Sequence, residues 1–457
     1  MSRVDRTTLP TPGATAPFRF PTIHRSLLAN GLEVRAIAHR NVPVACAVLL
    51  VPGGTAADPA DRFGLAAFTA DLVDEGSAGR SALEVSDALA RCGADFDVDV
   101  GPDAIALALT TLTTFMRPAV ALLAEMAMVP NLADPDIERV RKLRLERLRQ
   151  LRDHAPAVAE RALMRLLYRD HPYGHLSLGT ETSLEATTAA ELRAFHGAAF
   201  VPQGATLVIA GDADVETLRD VAAEAFGAWK AAPAGPGIDR AAGLRSPPLV
   251  PERRLAIVPR PGAAQSELRI GHVCASRDTP DFHALVLLNM ILGGQFVSRV
   301  NLKLRQEKGY TYGVRTGFDL RRGLGPFALQ TSVQTEVTAA AIREALRELE
   351  DIRGVRPATA DELVMARASV TRGYPRGFET AQQVARSVGQ LALHGLPDSY
   401  FEQFVPRIEA VRLEDVTRVA REYLDTTRMV TLAVGDHDRI ASTMTSLNLG
   451  EPFVMSA

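Results

Sequence analysis

Thr206-Leu207-Val208-Ile209-Ala210-Gly211-Asp212-Ala213-Asp214 is a short apolar run that breaks on a Gly-Asp turn. Val430-Thr431-Leu432-Ala433-Val434-Gly435-Asp436-His437-Asp438 repeats it 224 residues later, Asp436 falling on Asp212. So short a run bounded by a turn signal suits a buried strand better than a helix. The same offset superposes the helical patterns ahead of it: Glu191, Leu192, Phe195 and Phe200 fall on Asp415, Val416, Val419 and Leu424. A repeat of this length is a duplicated domain, not a solenoid unit.

The chain between the copies fits that division. Residues 231–248 carry Pro233, Pro236, Pro247 and Pro248 with Gly235, Gly237 and Gly243, and have neither helical nor strand period. We therefore expect domains over 1–230 and 250–457, joined by a linker over 231–249. In the first, Leu32–Ala38, Val44–Val51, Ala94–Val100 and Ala104–Leu112 read as strands, the last two a hairpin through Gly101-Pro102-Asp103. Ser81-Ala82-Leu83-Glu84 is a capping box that opens a helix to Arg91. Asp134-Pro135 supplies an N-cap and a first-turn proline for a long basic helix. The second half repeats the scheme, with strands at Arg254–Val258, Glu267–Val273, Tyr310–Phe318 and Pro326–Ser332 and a helix over Phe282–Leu292. The expected fold is α+β: two tandem homologous domains, each a mixed sheet with helices packed mainly on one face.

Bulk properties exclude several classes. A chain of 457 residues exceeds a single core. Its 47% hydrophobic and 23% charged residues are ordinary for a soluble globular protein. A net charge of −3 argues against a nucleic-acid partner. Cys46, Cys92 and Cys274 are few and far apart, and read as small buried hydrophobes in a reducing compartment. No apolar run is long enough to span a membrane, and the first twenty residues hold no secretory signal. The natural setting is cytoplasmic; a periplasmic one requires a leader that has been removed.

Gly64-Leu65-Ala66-Ala67-Phe68-Thr69-Ala70-Asp71 carries the functional reading. It resembles the zinc helix of the pitrilysin/insulinase-type metallopeptidases, mitochondrial processing peptidase branch, which reads Gly-Leu-Ala-His-x-x-Glu-His. Ala67 and Asp71 stand where that family has its two histidine ligands, and Ala70 where it has the general-base glutamate. The resemblance implies a third ligand, a glutamate roughly 76 residues after the second histidine; here that position is Arg147. Zinc catalysis needs such ligands and an open position for water, so this chain is expected to hold no metal. Leu143 and Leu151 lie four residues either side of Arg147, which predicts that Arg147 points inward and pairs with Asp71. His171-Pro172-Tyr173-Gly174-His175 has helical histidine spacing, but Pro172 and Gly174 make it a loop with no metal role.

A second segment keeps what the first has lost. Leu304-Arg305-Gln306-Glu307-Lys308-Gly309-Tyr310-Thr311-Tyr312-Gly313-Val314 is similar to the family's Leu-Arg-Glu-x-x-Gly-x-x-Tyr-x-Val, and follows Leu292-Gly293-Gly294 with Phe296, Ser298 and Arg299 in the family's glycine turn. The resemblance implies that Arg305 holds the substrate backbone and Tyr312 stabilises the oxyanion, across the cleft from zinc. Gly309 is expected to take a left-handed helix cap, and Tyr310 and Tyr312 to share one strand face. The bland alternative is a packed tyrosine and a surface ion pair between Arg305 and Glu307. Asp95, Asp97 and Asp99 alternate where the family's substrate-receiving edge strand runs, a surface fit for a basic partner rather than a peptide.

The expected function is the non-zinc subunit of a heterodimeric metallopeptidase acting on peptides or unfolded polypeptides. Its partner would be a homologous subunit with an intact inverted zinc motif, zinc being bound there. The alternative is an inert scaffold of the kind found in the core of larger complexes.

Overall fold

The computed structural model describes residues 7, 18–230 and 254–456; the linker expected over 231–249 lies outside the described residues. The first half forms a six-stranded sheet from β1 (His24–Leu27), β2 (Glu33–Ala38), β3 (Val44–Pro52), β4 (Asp95–Val100), β5 (Ala104–Leu112) and β6 (Thr206–Gly211). The second forms another from β7 (Leu255–Pro259), β8 (Gln265–Val273), β9 (Val314–Phe318), β10 (Pro326–Gln334), β11 (Val430–Gly435) and β12 (Phe453–Val454). Their orders are β1-β2-β6-β3-β5-β4 and β9-β10-β8-β11-β7-β12. Five strands correspond one to one, and in each sheet the Gly-Asp strand runs parallel to one neighbour and antiparallel to the other. The helices ahead of the Gly-Asp strands, Ala189–Ala199 and Leu413–Tyr423, also match residue for residue at the repeat offset. The fold is α+β and duplicated, as the sequence pattern predicts.

The helices used below are α1 (Leu65–Ala70), α2 (Met116–Met128), α3 (Asp134–Arg152), α4 (Ala155–Tyr168), α5 (Val215–Phe226), α6 (Phe282–Leu292), α7 (Thr338–Asp351) and α8 (Ala381–His394). Helix α3 begins with Asp134 as its first residue and Ala133 as N-cap, one position before the expected cap. On β3, Ala45, Ala47, Leu49 and Val51 face α2 and α5 of the same half, as do Leu207 and Ile209 of β6. The alternate residues Cys46, Val48, Val208 and Ala210 face the other way, into the core built around α8 of the second half. The exchange is reciprocal. Leu255, Ile257, Leu268 and Ile270 pack with α6 and α7, while Ala256, Val258, Val430, Leu432 and Val434 pack under α4 of the first half. Own helices cover one face of each sheet as expected, and a helix of the other half covers the opposite face. This is why β3 and β6 read as unbroken apolar runs: a strand buried on both faces has no polar side to show.

A polar knot fixes the junction. The Tyr173 side chain is 1% exposed. Its hydroxyl donates to Asp103, in the β4–β5 hairpin, and accepts from the Gly323 amide at 3.0 Å. The second Asp103 oxygen accepts from the Arg322 amide at 2.9 Å, and the Arg321 guanidinium lies over the Tyr173 ring. Burial first, and then the Asp103 carboxylate, push the phenol well above its ordinary pKa, so it stays a neutral donor. The His-Pro-Tyr-Gly loop thus ties first half to second.

Because each sheet is completed by the other half, calorimetry should show the two halves unfolding in one transition. Tyr173→Phe should lower stability in urea by about 1–3 kcal/mol, having stranded buried partners. Two separated calorimetric transitions, or a neutral Tyr173→Phe, would contradict the shared junction.

Candidate functional site

Helix α1 is one and a half turns long, and its start is fixed by a single carboxylate. The Asp58 side chain is wholly buried and accepts from the Gly64 and Ala66 amides, both at 2.7 Å, and from His175 Nε2 at 3.0 Å. Gly64 takes a left-handed φ of 91°, and a Cβ there would lie 2.9 Å from the Gly179 Cα. A glycine is therefore required for the helix to begin against this loop. Ala67 and Ala70 are buried on the helix, and Asp71 ends it.

Asp71 does meet an arginine, but not the expected one. Its carboxylate pairs with Arg144, one turn earlier on α3 than Arg147. The inward face of α3 runs through Ile137, Val140, Arg144 and Leu148, while Leu143 and Arg147 point to solvent. The Leu143/Leu151 face misjudged the helical phase. The pair is also less enclosed than expected: the Arg144 side chain is 6% exposed, that of Asp71 42%. Arg144 donates a further bond to the Ser177 carbonyl at 2.8 Å and lies over the Phe68 ring. Burial lowers its pKa from the ordinary value, against the pull of Asp71.

A divalent cation does not fit here. Two alanines offer no lone pair, and a buried guanidinium occupies the space beside the one carboxylate. Among the described residues no group of three His, Cys, Asp or Glu side chains could hold a metal ion.

The second segment is arranged differently. Glycines 293 and 294 bring the chain close behind β9: a Cβ on Gly293 would lie 2.4 Å from Thr316 Oγ1. Asn301, which sequence reasoning missed, is buried and does the positioning. Its side chain accepts from the Val314 amide at 2.9 Å, donates to the Val314 carbonyl at 2.7 Å, and reaches the Gln295 carbonyl at 3.2 Å. One amide thus joins the glycine turn to the start of β9, and only the three-dimensional pairing identifies it. Leu302–Glu307 forms a widened, π-type turn, and Gly309 takes the expected left-handed φ of 66°. Widened turns of this kind recur at functional sites.

Strand β9 begins at Val314, not Tyr310, so the two tyrosines do not share a strand face. Thr311 folds the intervening backbone on itself through bonds with Gly313. Tyr310 packs against the core, whereas Tyr312 is 93% exposed at the rim of a cavity of about 840 Å³. The Arg305 guanidinium stacks 3.8 Å from the centre of the Phe296 ring, which lines the same cavity and is itself 67% exposed. Glu307 pairs with Lys303 at 2.8 Å instead of Arg305. Tyr312 and Phe296 therefore line one cavity of the second half, and Arg305 stacks on Phe296 beside it.

Comparison with known proteins places the fold in a family. Residues 34–181 match the insulinase family (Peptidase family M16), and residues 186–370 match the Peptidase M16 inactive domain. The chain belongs to the insulinase, or M16, family. A Mycobacterium tuberculosis protein described as an uncharacterized zinc protease is 26% identical over 404 residues, covering 88% of this chain and 90% of that one. A Helicobacter pylori protein described as a non-peptidase homolog is 21% identical, over 84% and 91% of the two chains. The crystal structure of a peptidase M16 inactive domain from Pseudomonas fluorescens superposes with a TM-score of 0.83 at 25% identity, covering 91% of this chain and 98% of that one.

Within this M16 chain one edge of the first sheet is acidic. Strand β4 is the sheet edge, and Asp95, Asp97 and Asp99 are exposed along it. Asp97 pairs with Arg386 of α8 at 2.7 Å, so at that position the basic partner belongs to the same chain. Among the described residues no helix is long and apolar enough to cross a membrane.

Two outcomes test the vacated site. Asp71→Ala should cost roughly 1–3 kcal/mol by leaving Arg144 buried without its carboxylate, less than for a fully enclosed pair because Asp71 is solvated. Adding Arg144→Leu should recover much of that loss in urea denaturation; strict additivity would contradict the pairing. Asp74, just beyond, is raised from 3.8 to about 6, first by burial and then by the charges of Glu75 and Asp71. The folded state holds a proton there that the unfolded chain releases, so its contribution to stability falls as pH rises from about 4 to 6. Asp74→Asn should therefore stabilise by on the order of 2 kcal/mol at pH 7.5 and by almost nothing at pH 4. An equal effect at both pH values would refute this.

Proposed function

We propose that this chain is the non-zinc subunit of a heterodimeric metallopeptidase that cleaves peptides or unfolded polypeptides. In this reading the first domain, residues 1–230, is a degenerate copy of the catalytic domain. The second, residues 250–457, supplies Arg305 and Tyr312 to a site whose zinc and general base come from a homologous partner. The assembly acts in the cytoplasm. The Tyr312 hydroxyl donates a hydrogen bond to the oxyanion that forms on the scissile carbonyl, and Arg305 binds a neighbouring backbone carbonyl.

One observation carries the reading. Tyr312 is almost fully exposed at a cavity rim while the residues that follow it are pinned, Gly313 by Thr311 and Val314 by Asn301. A tyrosine kept for packing would be buried; one kept for a ligand or a partner stands out on a rigid base, and preorganised donors are what oxyanion stabilisation requires. Phe296 is exposed in the same cavity, and Val297 and Leu302 are exposed in the turn and helix that follow it, apolar surface suited to a protein partner.

The scaffold reading is favoured by a different observation, the similarity to a Helicobacter pylori protein described as a non-peptidase homolog. The two readings separate on the chain purified with its natural partner. Arg305→Ala and Tyr312→Phe should each lower turnover of an unfolded polypeptide, with loss of the Tyr312 donor costing on the order of a hundredfold, and leave the complex assembled on gel filtration. The chain alone should cleave nothing and contain no stoichiometric zinc. Full activity in both variants would establish the scaffold.

A further inference from the structure

Beside the vacated site, where α3 ends and α4 runs to the His-Pro-Tyr-Gly loop, lies a strongly basic pocket of about 590 Å³. Arg152, Arg161, Arg165 and Arg169 line it, with only Asp170 and Glu181 of opposite sign. Arg152 is paired with Glu181 at 2.5 Å. The side chains of Arg161 and Arg165 make no hydrogen bond or ion pair with another described residue. They stand four positions apart on one helix, the spacing at which like charges repel. The helix dipole favours a cation in the last turn, which accounts for Arg165 but not for Arg161, two turns from the end. Burial, and then the charges of Arg165 and Arg152, lower the Arg161 pKa.

The pocket is built rather than incidental. Its wall includes Phe63 stacked on His175 with ring centres 4.3 Å apart. The His175 side chain is 7% exposed, and its Nδ1 is a buried polar atom without a partner. Arg169 closes α4 with a left-handed φ of 49°, a conformation that a bulky residue adopts only against strain. Gly174 packs so tightly behind it that a Cβ would meet the Arg169 carbonyl oxygen at 2.2 Å.

We propose that this pocket binds a small phosphate-bearing anion. Planar guanidinium groups bind phosphate oxygens in bidentate fashion, and a cavity of this size suits a small molecule. Arg161 and Arg165, which pair with no carboxylate among the described residues, place two positive charges on the pocket wall, which a phosphate dianion matches and a single carboxylate does not. The ligand carries its phosphate either alone or on an organic body that lies against Phe63 and Leu148. Because Phe63 precedes Gly64 and His175 holds Asp58, the bound anion sits directly behind the start of α1. Binding here is separate from any role of Arg305 and Tyr312.

Thermal unfolding of the full chain tests this, with millimolar pyrophosphate, ADP or acetate at matched ionic strength. Pyrophosphate should raise Tm by ~2–4 °C and acetate should not. A larger shift with ADP identifies a nucleotide-like ligand, and an equal shift identifies the phosphate group alone. Arg161→Gln combined with Arg165→Gln should abolish the shift while its unliganded Tm stays at or above that of the parent, since repulsion has been removed. Arg165→Gln alone, at an exposed position, should weaken binding several-fold without affecting folding. The absence of any shift with pyrophosphate and ADP, a shift as large with acetate, or an undiminished shift in the double variant would overturn the proposal.

Discussion

Each sheet of this protein is finished by a helix of the other half, and the rest of the structure depends on that exchange. Helix α8 covers the inner face of the first sheet and α4 that of the second. Neither sheet can hide both faces alone, and uncovered apolar strands are unstable in water. The exchange therefore sets the geometry of everything at the junction. It aligns the Asp103–Tyr173–Gly323 knot, places the loop that bounds α1, and leaves β4 and β9 as sheet edges. The cavity lined by Tyr312 lies at one such edge, on the second half, while the Asp71–Arg144 pair lies between α1 and α3 on the first.

The vacated site shows how a fold keeps a catalytic frame without its chemistry. Arg144 and Asp71 join the two helices, so a positive group bridges α1 and α3. Such a pair is a modest stabiliser, because a buried guanidinium gives up hydration in return. Its specificity is greater than its strength: with Asp58 capping α1 and Arg144 reaching both Asp71 and Ser177, the short helix has one position available. The insulinase-family frame persists here as packing and capping rather than as a metal centre.

Much of this was legible in the sequence, for local reasons. Capping boxes, Gly-Asp turns and apolar runs are short-range signals, so the helix from Ala82 and strands β3, β5 and β6 were expected within a residue or two. The motif segments announced that Ala67 and Asp71 stand at the positions of the family's histidine ligands and Ala70 at that of its general base. What failed were inferences of phase and reach. Arg147 followed from a family spacing carried across turns whose length is free to vary, and the Leu143/Leu151 face ignored the stronger Ile137/Val140/Leu148 face. Tyr310 and Tyr312 looked like alternating strand residues, but Gly309 and Gly313 flank them and Thr311 turns the backbone back on itself. The exchange of α4 and α8 left only an indirect trace, the lack of alternation along β3, because no local pattern states which distant helix will cover a face. Asn301 was invisible for the same reason.

The central claim is that Tyr312 faces substrate rather than a scaffold contact. The most direct measurement places a photoreactive benzophenone side chain at Tyr312, assembles the chain with its natural partner, and irradiates the complex in the presence of a labelled unfolded polypeptide. Mass spectrometry then identifies what the side chain has captured. The account predicts a cross-link to the polypeptide that excess unlabelled substrate suppresses. A cross-link only to the partner subunit, unaffected by substrate, would contradict it.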